Sequence, residues 1–148
     1  MDQKLREKQF ITFNLAGNEY GIDIQEVMEI TVMMPITIVP KTPGYIMGVI
    51  NLRSDVVPVV SLMNRLGLGE YNYTEDTRII IVVHDDIRFG VVVDSVKEVL
   101  SINEENIENI TATDENQSDE CIYGVGKLGE RIIALLDVER IINLKTGG

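Results

Sequence analysis

The sequence predicts a mainly β fold: two small five-stranded barrels generated by an internal repeat, with short helices including one near the C-terminus. Three observations carry this reading. Short runs rich in Val and Ile, bounded by Gly, Asn, Asp and Pro, recur along the chain as strands and hairpins do. The pattern of the first half returns in the second. A length of 148 residues with 45% hydrophobic and 25% charged positions suits one ordinary globular domain or two small lobes sharing a core.

Residues 1 to 8 are polar and are expected to fray. FITFNL (10–15) reads as a strand, AGNE (16–19) as a turn and YGIDI (20–24) as the returning strand, a hairpin. VMEITVMM (27–34) continues in β character up to Pro35. Thr42 ahead of Pro43 is the order that opens a short helical turn. YIMGVINLRSDVVPVVSL (45–62) then sets one cation, Arg53, between two runs that both read as core. Within it Pro58 cannot donate to a ladder, so its strand lies at an edge or its nitrogen faces away from the neighbour. SLMNRLGL (61–68) has a helical pattern with Ser61 as N-cap, and GEYNYTED (69–76) is polar and turn-rich.

The pattern then begins again. RIIIVV (78–83) is a strand, HDDI (84–87) a turn, RFGVVV (88–93) the return, and VKEVLSI follows. Residues 103–120 are acidic and amide-rich, an exposed loop with room for one helical turn. CIYGVGKLGERIIALLDV (121–138) repeats the 45–62 stretch. At a shift of about 69 positions Ile11 falls on Ile80, Phe13 on Val82, Tyr20–Gly21 on Phe89–Gly90, and Val27, Glu29 and Ile30 on Val96, Glu98 and Val99. At about 76, Gly48–Val49 falls on Gly124–Val125, Leu52 on Leu128 and Val59–Val60 on Leu135–Leu136. The cap residues match too: Thr42 meets Ser118 and Ser61 meets Asp137. The repeat units are placed at 10–68 and 78–142 within a single domain, 1–148. Closing each unit into a barrel removes its exposed edges.

Thirteen basic against 24 acidic residues give a net charge of −11. That surface repels phosphate backbones and anionic membranes, so neither nucleic acid nor direct membrane contact is expected. The one cysteine, Cys121, permits no internal disulfide and reads as a small buried hydrophobe in a reducing compartment. The charged N-terminus lacks an apolar signal region, and no uncharged apolar run reaches the ~18 residues of a membrane span. Work at a membrane would go through a partner.

Chemistry-bearing patterns are sparse. GVGKLG (124–129) spells a dinucleotide fingerprint, but the residues after it read as a strand, not the required helix. His84 stands alone in a hairpin turn and reads as solvated. Asp23, Asp94 and Asp137 are the best general acid–base candidates, yet nothing pairs them with a nucleophile, and Asp137 has a sufficient role as a cap. Glu29 and Glu98 hold equivalent repeat positions, which points to a shared structural setting. No enzyme, catalytic residue, metal or cofactor is expected.

EYGIDIQEVMEI (19–30), PGYIMGVINLRSDVVPVVSL (43–62), RFGVVVDSVKEVL (88–100) and YGVGKLGERIIALLDVERI (123–141) closely resemble the CheW family of chemotaxis coupling proteins over residues 9–144. The resemblance implies two SH3-like five-stranded barrels and a non-enzymatic adaptor. Such an adaptor joins the cytoplasmic tip of methyl-accepting chemoreceptors to the regulatory domain of the chemotaxis histidine kinase. It would be a monomer alone, cytoplasmic, and recruited to membrane-bound receptor arrays. The resemblance carries receptor contact onto Val27, Glu29, Ile30, Arg53 and Val99, in a groove between the lobes. It implies a kinase-facing surface on the second lobe, marked by Gly124 and Leu128. The bland alternatives stand beside these: Arg53 as a solvated turn residue, Val27, Ile30 and Val99 as core, Gly124 and Leu128 as a turn with its anchor. Ser54 replaces the family's usual glycine and Ser61 its usual aspartate, both residue types that turn and cap. A small-ligand-binding double barrel is the alternative function; a ligand that binds only the folded state would raise the melting temperature.

Overall fold

Eleven strands and two short helices order the chain in a computed structural model that describes residues 6–110 and 121–142. The strands are β1 (Glu7–Leu15), β2 (Asn18–Asp23), β3 (Val27–Val32), β4 (Ile46–Leu52), β5 (Asp55–Val60), β6 (Arg78–His84), β7 (Ile87–Val93), β8 (Ser95–Asn103), β9 (Ile107–Asn109), β10 (Ile122–Leu128) and β11 (Arg131–Leu136). The helices are α1 (Leu62–Arg65) and α2 (Val138–Ile142). Single 3₁₀ turns at Ile24–Glu26 and Glu104–Asn106 follow β2 and β8. Glu7 and Lys8, expected to fray, already belong to β1, paired with Asn103 and Ile102. Thr42 opens no helix: its hydroxyl donates to the Val39 carbonyl, and the backbone makes a turn that closes from Ile46 N to Pro43 O at 2.9 Å. Its repeat partner Ser118 lies outside the described residues.

The strands form two sheets, β8-β1-β2-β11-β10-β9 and β3-β6-β7-β5-β4. The first has six strands where five were expected. The repeat is visible in the backbone itself. Val59 pairs in parallel with Gly90, and its equivalent Leu135 with Gly21. The β3–β6 register slips between Val27 and Glu29, and β8–β1 slips at the equivalent place, where Val96 faces Phe13 and Glu98 faces Thr12. The lobes, however, are not the repeat units. Each unit leaves its first hairpin in one sheet and sends its remaining strands to the other, so β3 pairs with β6 and β8 with β1.

Closure explains the sixth strand. Past β3 the chain reaches round to β4, where Thr37 and Val49 exchange two 2.8 Å backbone hydrogen bonds. Past β8 it does the same through β9, where Glu108 faces Val125, the repeat equivalent of Val49. Gly48 and Gly124 make room for these segments. A Cβ on Gly48 would stand 2.2 Å from the Thr37 oxygen, and one on Gly124 2.9 Å from the Glu108 oxygen. Pro58 lies in an interior strand, between β7 and β4. It is tolerated because Val49 opposite it turns both backbone groups towards Thr37, which leaves the Pro58 nitrogen facing away from β4.

Three apolar clusters follow from this arrangement. Ile79 and Ile81 point into the five-stranded lobe with Ile50, Val57 and Val59. Phe10, Ile102, Ile133 and Leu135 fill the six-stranded lobe. The largest cluster lies between the sheets and draws on both, with Ile11, Phe13 and Ile22 from one and Ile80, Val82 and Val91 from the other. β6 is thus buried on both faces, which is why RIIIVV reads as one continuous apolar run. Cys121, Val138 and Ile141 seal the shared core. Ser61 caps α1 by accepting from Asn64 N at 3.0 Å, and Asp137 caps α2 by accepting from Glu139 N at 3.0 Å.

Candidate functional site

Arg53 and Ser54 form the two-residue turn between β4 and β5, with φ of 51° and 77°. Two successive positive φ values are what a tight hairpin on a right-twisted sheet requires. Asn51 Oδ1 accepts from Ser54 N at 2.9 Å and holds the corner. The Arg53 side chain is 71% exposed, and its guanidinium pairs with Glu29 on the edge strand β3. This carboxylate raises the Arg53 pKa. Two sequence-predicted residues, 24 positions apart, therefore meet directly.

The apolar members of the predicted site are placed by register. Ile30 pairs with Ile80 and Val99 with Ile11, and both partners face the shared core. Opposed residues on paired strands project from the same face. Ile30 and Val99 therefore lie on the inter-lobe sides of the edge strands β3 and β8, 39% and 47% exposed. Val27 pairs with Val82 and is half-buried against the same core. Glu29 pairs with Ile81 and so takes the opposite face of β3, the one towards the barrel mouth and Arg53. The structure unites Arg53 with Glu29 at a rim, and sets Val27 and Ile30 on the inter-lobe side of β3 and Val99 on that of β8.

The repeat supplies what sequence reasoning missed. Glu98, the equivalent of Glu29, pairs with Arg131 at 2.9 Å. Arg131 also grips Glu19 at 2.5 Å and holds that carboxyl below the usual range, with Lys97 assisting. At the equivalent positions of the other lobe, Arg88 pairs with Asp55 at 3.3 Å, so the polarity is reversed. The signal was the equivalence of Glu29 and Glu98, but nothing in the spacing named the arginines.

Gly124 is buried beneath β9, where it serves closure. Leu128 is half-buried at the end of β10, opposite Arg131. The GVGKLG stretch runs into the strand β11, so it lacks the helix of a phosphate cradle. The candidate general acids and bases are occupied as backbone acceptors: Asp23 takes Gln25 N, Asp94 takes Ala16 N at 2.9 Å, and Asp137 takes Glu139 N. Asp23 and Asp137 line a cleft of about 410 Å³ with Glu26 and Tyr123. Burial first, then those carboxylates, push the Tyr123 phenol up to about 12. His84 departs from its reading as a solvated turn residue: it ends β6 and is ringed by carboxylates. Among the described residues no helix is long and apolar enough to cross a membrane.

A family model described as a CheW-like domain matches residues 9–146. The chemotaxis protein CheW of Helicobacter pylori is 37% identical over 136 residues, covering 90% of this chain and 81% of that protein. The chemotaxis protein CheW of Bacillus subtilis is 35% identical, covering 92% and 87%. The crystal structure of the scaffolding protein TtCheW from Thermoanaerobacter tengcongensis superposes with a TM-score of 0.82 at 34% identity, covering 93% of this chain and 94% of that one. The twofold repeat, the exchanged first hairpins and these likenesses agree, and the chain belongs to the CheW family.

Proposed function

We propose that this chain is a non-enzymatic adaptor that couples transmembrane chemoreceptors to the chemotaxis histidine kinase by binding both. The observation that carries the receptor half is the make-up of β3 and its neighbour hairpin: exposed Ile30 beside half-buried Val27, with the exposed Arg53–Glu29 pair at the rim. Helix-in-groove recognition divides labour in this way, with apolar anchors inside and charges at the edge. The receptor's helical tip would lie along the margin that Val99 lines from β8. The kinase regulatory domain would meet the β10–β11 hairpin, with Leu128 as its marker. The commitment of Asp23, Asp94 and Asp137 to backbone amides supports a binding protein rather than a catalyst. The chain would act as a monomer in the cytoplasm and join membrane-bound arrays through its partners.

One folded variant tests this. Arg53→Glu breaks an exposed pair and leaves the hairpin backbone in place. Affinity for a soluble chemoreceptor cytoplasmic fragment is expected to fall about tenfold or more, since a bound receptor would desolvate this rim and a reversed charge beside Glu29 is costly there. Affinity for the kinase regulatory domain is expected to stay near wild type. Loss of both affinities, or of neither, removes Arg53 from the receptor site.

A further inference from the structure

His84 is the single histidine of the chain. Its side chain is 29% exposed, and carboxylates from three elements converge on the ring. Nδ1 lies 3.0 Å from Glu26 Oε2, in the 3₁₀ turn after β2. Nε2 lies 3.5 Å from Asp85 Oδ2, in the β6–β7 turn, and 3.7 Å from Glu139 Oε1, in α2. A neutral imidazole has one N–H and can serve only one of these two sides; an imidazolium donates from both. The 3₁₀ turn carries the chain from the six-stranded to the five-stranded lobe. Glu26 is its last residue, and the next is Val27, where β3 begins.

We propose that His84 is a positioning residue for the β3 surface: as an imidazolium it ties the 3₁₀ turn to the β6–β7 turn and to α2, and loss of its proton leaves one N–H that cannot hold both sides, which loosens the turn ahead of β3 and weakens the binding of a partner along β3. This rests on the reading of β3 as the receptor-facing strand. The Glu26 hydrogen bond, followed by the charges of Asp85 and Glu139, raises the pKa of His84 above its ordinary value. A raised folded-state value means the tie is complete below about pH 6.5 and is lost as pH rises through the folded value. Above it, Glu26, Asp85 and Glu139 surround a neutral ring and repel one another.

The test uses the full chain, isotope-labelled, titrated between about pH 6 and 9 around the histidine range. The backbone amide signals of residues 26–30 are expected to move with the same midpoint as the His84 ring, and to stay flat in His84→Gln. Affinity for the soluble receptor fragment is expected to fall about two- to fivefold across that midpoint, the scale of an exposed ion pair, and to lose this slope in His84→Gln. Glu26→Gln should lower the midpoint. Amides that do not follow the ring, or a pH slope that survives in His84→Gln, overturn the proposal. If the amides titrate together but Ile30→Asp leaves receptor affinity unchanged, the positioning stands and it is the receptor assignment of β3 that fails.

Discussion

Alanine at Gly48 and at Gly124 tests barrel closure in the two lobes, with an unequal outcome expected. At Gly48 a Cβ would sit 2.2 Å from the Thr37 oxygen and 2.7 Å from Ile36 Cγ2. Neither backbone can stay, so the Thr37–Val49 bridge must open and two 2.8 Å hydrogen bonds are lost. At about 1 kcal/mol net for each bond that is ~2 kcal/mol. The φ of 151° at Gly48, poorly suited to a side chain, adds about 1 kcal/mol. At Gly124 the approach is 2.9 Å to the Glu108 oxygen, which a small shift of the short strand β9 relieves, for about 1 kcal/mol. Denaturant unfolding should therefore place Gly48→Ala ~3 kcal/mol below wild type and Gly124→Ala ~1 kcal/mol below, with unchanged m-values. A Gly48→Ala chain within ~0.5 kcal/mol of wild type, the range of an inert surface substitution, would refute the argument, as would the reverse ranking. Because Gly124 is buried, folded Gly124→Ala should also keep its affinity for the kinase regulatory domain.

Two further outcomes follow from single residues. Ser54 holds a φ of 77° where the family's usual glycine would be unstrained, so Ser54→Gly should raise stability by about 1 kcal/mol in the same unfolding assay, the Asn51 bond to its amide being kept. Tyr71 donates to the Val92 carbonyl at 2.7 Å while its oxygen accepts from Leu62 N at 3.0 Å, so Tyr71→Phe should cost about 2 kcal/mol by stranding both groups. Burial pushes the Tyr71 phenol up to about 12. The stability it contributes is complete below pH ~10 and lost as pH rises through about 12, and alkaline unfolding should show a shallower slope in Tyr71→Phe.

The repeat was legible because glycines, caps and apolar spacing recur together: Ser61 and Asp137 cap helices, and Gly48 and Gly124 admit closing segments. Strand exchange was not legible. Whether β3 pairs within its own unit or with β6 depends on long-range contacts that leave the local pattern unchanged. β9 was hidden in a polar run because its pairing with β10 comes from closure, not from its own residues Ile107–Asn109. Tyr71 stood in a polar, turn-rich stretch, and its anchoring role depends on Val92, 21 positions away. His84 was read as solvated for the same reason: Glu26 and Glu139 reach it from distant parts of the chain. The Arg53–Glu29 contact was approached only through the family resemblance, which put both residues in one site.

Strand exchange also bears on what an adaptor needs. Had each repeat kept its strands, two barrels would hang on a linker and reorient freely, the default for domains with small interfaces. Here the chain crosses between the sheets twice, after β2 and after β7, so each sheet combines the first hairpin of one unit with the later strands of the other. The largest apolar cluster belongs to neither lobe alone. Arg65 of α1 donates to the Ile141 carbonyl at 2.9 Å and to the Arg140 carbonyl at 2.5 Å, and stacks 4.9 Å over Tyr45, so α2 is clamped across the seam. Turning one lobe against the other would disrupt this shared core and the Arg65 clamp. The proposed receptor surface on β3 and the proposed kinase surface on the β10–β11 hairpin lie in different sheets, yet their relative geometry is fixed by the fold itself. An adaptor that holds Asp23 and Asp137 in caps and Arg53 against Glu29 at a rim draws on that fixity to present its surfaces in one geometry.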